Sequence, residues 1–324
     1  MRAIVLEGFG GLDKLVYRDI PEPEPMAGHV VIQIKAFGVN HAEMHMRRGE
    51  WAENANVIGL ECVGIVKSCP GGEFPVGAKV AAMMGGMGRT INGSYAEYTQ
   101  VPVDVVTLVN VDMPWTELAA LPESYATAWT CLFRNLEIEK GQTLLIRGAT
   151  SAFGQAAINL AVDAGVKVIA TTRQRERFPF LEALGVSRCE IEGPDLSQRL
   201  PETGKLDRVL DLIGNSVIVD SLSMLPRYGR ACIAGWLGGL APVKDFNPLA
   251  QMNSGVYLTF FAAFHFGLPG FPLSDVPLQM IAEKAASGRF KAKPARVFKF
   301  DQIREAHRVM EANEAGGKMV IEIA

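Results

Sequence analysis

The run Thr143-Leu-Leu-Ile-Arg-Gly148-Ala149-Thr150-Ser151-Ala152-Phe153-Gly154-Gln155-Ala156-Ala157 carries the strongest structural signal in the chain. Apolar, β-prone residues enter a tight turn of small residues, and a helix-forming segment opens directly after it. A helix N-terminus in that setting presents free amides and the positive end of its dipole, and small side chains let backbone approach an anion. The glycine fingerprint of a dinucleotide site is degenerate here: Ala149-x-Ser151-x-x-Gly154, preceded by Gly148. On its own such a string is weak evidence. The surrounding unit supports it, because a helix over Phe153–Ala164 and a second buried strand at Lys167–Thr171 complete a βαβ unit. The alternative is an ordinary tight βα turn of an α/β sheet, and the complete βαβ unit favours the cofactor reading over it.

The second strand runs into Thr172-Arg173-Gln174-Arg175, with no acid before Glu176. An NAD site places Asp or Glu here to accept from ribose hydroxyls, whereas a 2′-phosphate wants guanidinium donors and is repelled by a carboxylate. The expected cofactor is therefore NADP(H). Thr171, Arg173 and Arg175 stand beside the adenosine ribose, and Arg177 is read as facing water. With Ser151, Ala152, Phe153 and Gly154 at the phosphates, these residues form the expected nucleotide site.

Beyond this unit the alternation continues. Asp207–Leu212 and Arg230–Ala234 read as further buried strands, with a helix at Val217–Leu225 between them. Apolar strands separated by helices imply a parallel sheet covered on both faces, the doubly wound α/β class. Residues 1–121 have a different texture. Short strand-like runs such as Val30–Ala36, Gly64–Val66 and Ala78–Ala81 are punctuated by Gly and Pro, which reads as a β-rich domain. The tail has amphipathic helices at Pro277–Ser287 and Asp301–Glu311, with strands at Ala295–Phe300 and Lys318–Ile323. It is read as returning to the first domain. The expected division is thus 1–121 with 265–324, and 122–264.

The chain has 324 residues, 32 Lys+Arg against 35 Asp+Glu, a net charge of −3 and five cysteines. That near-neutral balance offers no electrostatic footprint for nucleic acid or an anionic membrane. The longest apolar stretch, Val256–Phe264, is far short of the roughly 20 residues that span a bilayer. The start, Met1-Arg2-Ala3-Ile4-Val5-Leu6-Glu7, meets an acid too early for a secretory signal. Cysteines at 62, 69, 131, 189 and 232 show neither a disulfide framework nor a CxxC pair, and point to a reducing, cytoplasmic compartment.

Taken in order, several segments resemble one family: Gly38-Val39-Asn40-His41-Ala42-Glu43, Gly59-Leu60-Glu61-Cys62-Val63-Gly64, Gly93-Ser94-Tyr95-Ala96-Glu97-Tyr98, Leu121–Trp129, the phosphate loop, Arg230–Gly235 and Gly317-Lys318-Met319-Val320. Together they resemble the zinc-independent quinone oxidoreductase branch, the zeta-crystallin-like group, of the medium-chain dehydrogenase/reductase superfamily. The resemblance implies a GroES-like catalytic domain beside a Rossmann domain. It adds Thr127, Ile213, Gly214, Gly235, Trp236 and Lys318 to the cofactor contacts. It also implies a homodimer paired through Rossmann edge strands, here Gly255–Phe261, whose exposed apolar run would otherwise be an aggregation hazard.

By the same resemblance, the positions that ligate catalytic zinc in the alcohol dehydrogenases are Asn40 and Leu60 here. Leucine has no lone pair for a metal, and no cysteine cluster exists for a structural zinc, so no metal is expected. Without a Lewis acid, an alkoxide loses its main support, and chemistry that spreads charge over a conjugated acceptor is favoured. Asn40 is expected to orient the acceptor oxygen. Asn40, Glu43 and Arg47 fall on one helical face, and Glu43 and Arg47 are spaced to pair with each other at i, i+4. His45 is either a proton donor, suited to neutral pH, or a partly exposed helical histidine. The expected activity is NADPH-dependent hydride transfer to a quinone or other conjugated carbonyl. The alternatives are an enone or enoyl double-bond reductase, and a non-catalytic NADPH-binding structural or sensor protein.

Overall fold

A computed structural model describes residues 1–51 and 53–323. The chain divides into two compact units, Met1–Ala126 with Ala263–Ala324, and Thr127–Ala262. Among the described residues no helix is long and apolar enough to cross a membrane.

The first unit begins with an antiparallel pair, β1 (Arg2–Leu6) and β2 (Leu15–Asp19). It continues with β3 (His29–Val39), β4 (Glu61–Ser68), β5 (Lys79–Met83), β6 (Tyr98–Pro102) and β7 (Val106–Leu108). In β3 the residues Val30, Val31, Ile32, Ile34 and Phe37 are all buried. A run this apolar cannot face water on either side, so β3 is central and pairs with β4, β6 and a strand from the tail.

The second unit is a six-stranded parallel sheet: β8 (Thr143–Arg147), β9 (Lys167–Thr172), β10 (Arg188–Ile191), β11 (Arg208–Asp211), β12 (Arg230–Ile233) and β13 (Tyr257–Phe260). Their order across the sheet is β10-β9-β8-β11-β12-β13. Numbered from β8, this is the 3-2-1-4-5-6 order of the dinucleotide-binding fold, whose order reverses between the first and fourth strands. The doubly wound class read from the sequence is therefore present. β10 is an addition to that reading. It is an outer strand in which every residue is half-buried, and its Arg188-Cys189-Glu190 sequence lacks the apolar run that reveals a central strand. The helix Ala152–Asp163 lies on β8 and β9 through small residues including Ala156, Ala157 and Ala161.

The tail adds β14 (Arg296–Lys299) and β15 (Met319–Glu322) to the first unit. β15 runs antiparallel to β3, with Val320 opposite Gly38. This pairing brings the residue before β15 beside the end of β3, although some 280 positions separate them.

Candidate active site

In the second unit, the expected nucleotide residues gather at the carboxyl end of the parallel sheet, where open α/β sheets take their ligands. Gly148 to Ser151 follow β8, Thr171 and Arg173 close β9, Ile213 and Gly214 follow β11, and Gly235 and Trp236 follow β12. Ser151 caps the helix: its Oγ accepts from Gly154 N at 3.0 Å and donates to Gly148 O at 2.9 Å. Ala152 and Phe153 form the first turn and are half-buried. A Cβ on Gly154 would lie 2.6 Å from Ala149 O and 2.7 Å from Ala149 C and Cα. Only glycine lets the helix start sit this close to the turn, and this cradle fits a dinucleotide pyrophosphate. Thr171 is buried, and its Oγ1 accepts from Gly148 N at 3.1 Å. Arg173 and Arg175 are exposed. Arg175 lies over the Phe178 ring at 5.5 Å and Arg177 over Phe180 at 4.7 Å. Thr127 is buried in the helix Pro122–Trp129.

The first unit holds a buried polar cluster at the end of β3. Asn40 precedes the helix His41–Arg48, and its backbone N donates to Glu43 Oε2 at 2.7 Å. Asn40 Nδ2 donates to Glu43 Oε1 at 3.2 Å and to Glu61 Oε1 at 3.0 Å, while Oδ1 accepts from Lys318 Nζ at 2.6 Å. The Lys318 ammonium also meets Glu61 Oε1 at 2.5 Å and Glu123 Oε2 at 3.8 Å. Glu61 Oε2 accepts from Glu123 N at 2.8 Å. Glu43 and Glu61 are fully buried and Lys318 is 6% exposed. Burial works to lower the Lys318 pKa, but Glu61 and Glu123 outweigh it and hold the amine above its ordinary value as an ammonium. Space for the pair depends on Gly38, where a Cβ would come within 2.6 Å of Lys318 Cε.

Burial pushes the Glu43 carboxyl up to about 8, against the Asn40 hydrogen bond and the Lys318 charge, which lower it. Its folded pKa therefore lies above its unfolded value of 4.5. The folded state holds this proton more tightly, so the resulting stability is full below pH 4.5 and is lost as pH rises to about 8. The span corresponds to on the order of 5 kcal/mol. Urea unfolding midpoints should fall between pH 5 and pH 8, and Glu43→Gln should flatten that slope. An unchanged slope in Glu43→Gln would assign the pH dependence to other groups.

The expected Glu43–Arg47 pair is corrected by the structure. Glu43 turns to Asn40 and to Leu60 N, whereas Arg47, also buried, reaches Glu311, Gly10 O and His307 Nδ1. The tail supplies a stronger partner in Glu311, which sequence proximity could not show. His45 Nδ1 faces a Glu50 carboxylate oxygen, and its ring lies parallel to Trp51 at 6.0 Å. Lys318, assigned to the cofactor through the resemblance, is held in the Asn40 cluster by Asn40, Glu61 and Glu123. That cluster also accounts for both Asn40 amide hydrogens. The signal for Lys318 and Glu61 was a charge beside strand positions that are otherwise apolar, with no sequence clue to their pairing.

The donor set at this cluster does not fit a metal. Among the described residues no three His, Cys, Asp or Glu side chains are grouped to hold one, and a lysine ammonium fills the space between Glu61 and Glu123.

Comparison with known proteins agrees with this architecture. Residues 26–111 match the alcohol dehydrogenase GroES-like domain, and residues 193–321 match the zinc-binding dehydrogenase family. The human quinone oxidoreductase is 25% identical over 99% of this chain and 97% of its own length. A squalestatin tetraketide synthase from Cochliobolus lunatus is 26% identical over 96% of this chain, which spans only 12% of that protein. A mycobacterial protein solved in complex with NADPH superposes with a TM-score of 0.85 at 24% identity, covering 99% of both chains. The chain is a medium-chain dehydrogenase/reductase. Within that superfamily it is similar to the quinone oxidoreductases.

Proposed function

We propose that the protein is an NADPH-dependent reductase acting on a quinone or another conjugated carbonyl. The observation that carries the cofactor choice is the charge at the end of β9. Arg173 is exposed there and, among the described residues, makes no ion pair. Glu192, whose N donates to Thr172 O at 2.9 Å, points its carboxylate onto Arg147 and Thr171. A 2′-phosphate there meets a guanidinium that no ion pair occupies. The mycobacterial NADPH complex and the human quinone oxidoreductase support the same reading.

When bound, NADPH supplies the hydride. The chain's own part is positioning and exclusion of water. Asn40 orients the acceptor oxygen, and the amide contact that this oxygen displaces is the longer one, to Glu43 at 3.2 Å. Glu43, largely protonated at neutral pH, then remains as a neutral neighbour and not as an unpaired buried charge. An enone or enoyl acceptor leaves a more basic enolate than a quinone does, and needs a proton. His45, with Nδ1 held by Glu50, keeps Nε2 for that delivery.

Two further features belong to this reading. β13 is the outermost strand of its sheet and exposes Tyr257, Leu258 and Phe260, at 47%, 38% and 55%. A second copy pairing at this edge would cover it. None of the five cysteines forms a disulfide, and this reading places the protein in a reducing cytoplasm.

NADPH oxidation measured against a panel of quinones and enones tests the reading. In the same assay Arg173→Ala should raise the KM for NADPH by about tenfold or more while leaving the KM for NADH close to the parent's. Equal effects on both cofactors would remove Arg173 from the 2′-phosphate. Saturable NADPH binding without turnover on any acceptor would favour a sensor or structural role.

A further inference from the structure

Arg147 is the last residue of β8, opposite Asp211 at the end of β11, at the point where the strand order reverses. It is fully buried in the middle of a parallel sheet, an expensive place for a guanidinium unless every donor is matched. Every donor is matched. Nε donates to Glu192 at 3.2 Å, and Nη2 donates to Glu192 and, at 2.9 Å, to Gly193 O. Nη1 donates to Asp220 Oδ2 at 2.8 Å and to Ser221 Oγ at 3.0 Å.

Two chains of hydrogen bonds leave this hub, and each ends on backbone at the nucleotide end of the sheet. On one side, Glu192 accepts from Thr171 Oγ1, which in turn accepts from Gly148 N at 3.1 Å, the first amide of the phosphate turn. On the other, Ser221 Oγ donates to Asp211 Oδ2 at 2.6 Å. Asp211 Oδ1 accepts from Ile213 N at 3.0 Å and from Gly214 N at 2.8 Å. The loops on both sides of the switch point are therefore tied to one planar, five-donor group.

We propose that Arg147 is a positioning residue for the dinucleotide. It sets the phosphate turn through Glu192 and Thr171, and the Ile213–Gly214 turn through Ser221 and Asp211, so that both are in place before the cofactor arrives. This rests on the dinucleotide-binding reading above. Preorganised backbone is what a phosphate site needs, because a loop that must be ordered on binding subtracts from affinity. Lysine is not an equivalent here. Its three donors radiate from a point and cannot serve Glu192, Asp220, Ser221 and Gly193 together.

The test uses five proteins: the parent, Arg147→Lys, the single-arm variants Thr171→Val and Ser221→Ala, and the double variant Arg147→Lys/Thr171→Val. NADPH and NADH dissociation constants are read by fluorescence titration, at a temperature where circular dichroism shows each variant folded. Thermal midpoints are recorded alongside. Arg147→Lys should weaken NADPH binding by about tenfold or more, and each single-arm variant by a smaller factor. Thr171→Val should cost less in the Arg147→Lys background than in the parent, because the arm is already cut. If Arg147→Lys does not fold, the two single-arm variants still decide. Dissociation constants within twofold of the parent in the folded variants, with only the midpoints lowered, would overturn the positioning role and leave the oxidoreductase reading intact. A parent that binds neither dinucleotide would overturn both.

Discussion

Lys318→Met should destabilise the fold by about 3–5 kcal/mol, the usual cost of leaving one partner of a buried ion pair uncompensated. The ammonium is the positive centre for two carboxylates, Glu61 at 2.5 Å and Glu123 at 3.8 Å, and Glu61 is fully buried. Removing it leaves Glu61 facing apolar surroundings, with Asn40 Nδ2 and Glu123 N as its remaining donors. The double variant Lys318→Met/Glu61→Gln should regain much of the loss, because a neutral, well-packed substitute for a buried pair is often tolerated. Urea unfolding of the parent, the single and the double variants at pH 7 measures this. A loss below about 1 kcal/mol in the single variant would mean that the pair is water-screened and behaves as a surface bridge. Lys318 also holds Asn40 Oδ1 at 2.6 Å, so the single variant should lose acceptor reduction more steeply than NADPH affinity.

Gly154→Ala should have the largest effect on cofactor binding. The new Cβ would meet three Ala149 backbone atoms between 2.6 and 2.7 Å. Backbone cannot rotate aside as a side chain does, so the helix start must lift away from the turn. That shift strains the Ser151 cap and opens the phosphate cradle. Overpacking of this kind costs about 1–3 kcal/mol in stability. Displacement of the phosphate-binding amides should raise the NADPH dissociation constant by a factor on the order of a hundred. Titration of NADPH fluorescence measures the second effect and a thermal scan the first. An unchanged dissociation constant would place the pyrophosphate elsewhere.

Much of this architecture could be read from the chain before any coordinates. The parallel sheet was legible because buried strands such as Leu144–Ile146 and Val168–Ala170 carry unbroken apolar runs, and small residues mark the turn between strand and helix. The residues at the carboxyl end of this sheet were legible for a related reason: they lie at or just beyond strand ends that the pattern marks. The charged clusters were less accessible. Arg147 ends an apolar strand, and its partners Glu192 and Asp220 lie 45 and 73 residues away. Lys318 and Glu61 are separated by 257 positions and meet only because β15 pairs with β3. Local pattern carries no information about such pairings. It also misdirected Glu43 and Arg47, which helical spacing would join and which the tertiary fold sends to different partners. β10 escaped notice because a half-buried outer strand shows neither alternation nor an apolar run.

The proposed NADPH-dependent reduction of a conjugated acceptor meets its strictest test in kcat/KM measured for NADPH and NADH side by side, with one quinone acceptor. An exposed Arg173, and an acid turned inward at Glu192, predict a preference for NADPH of about tenfold or more. A preference for NADH would contradict the reading of the β9 end.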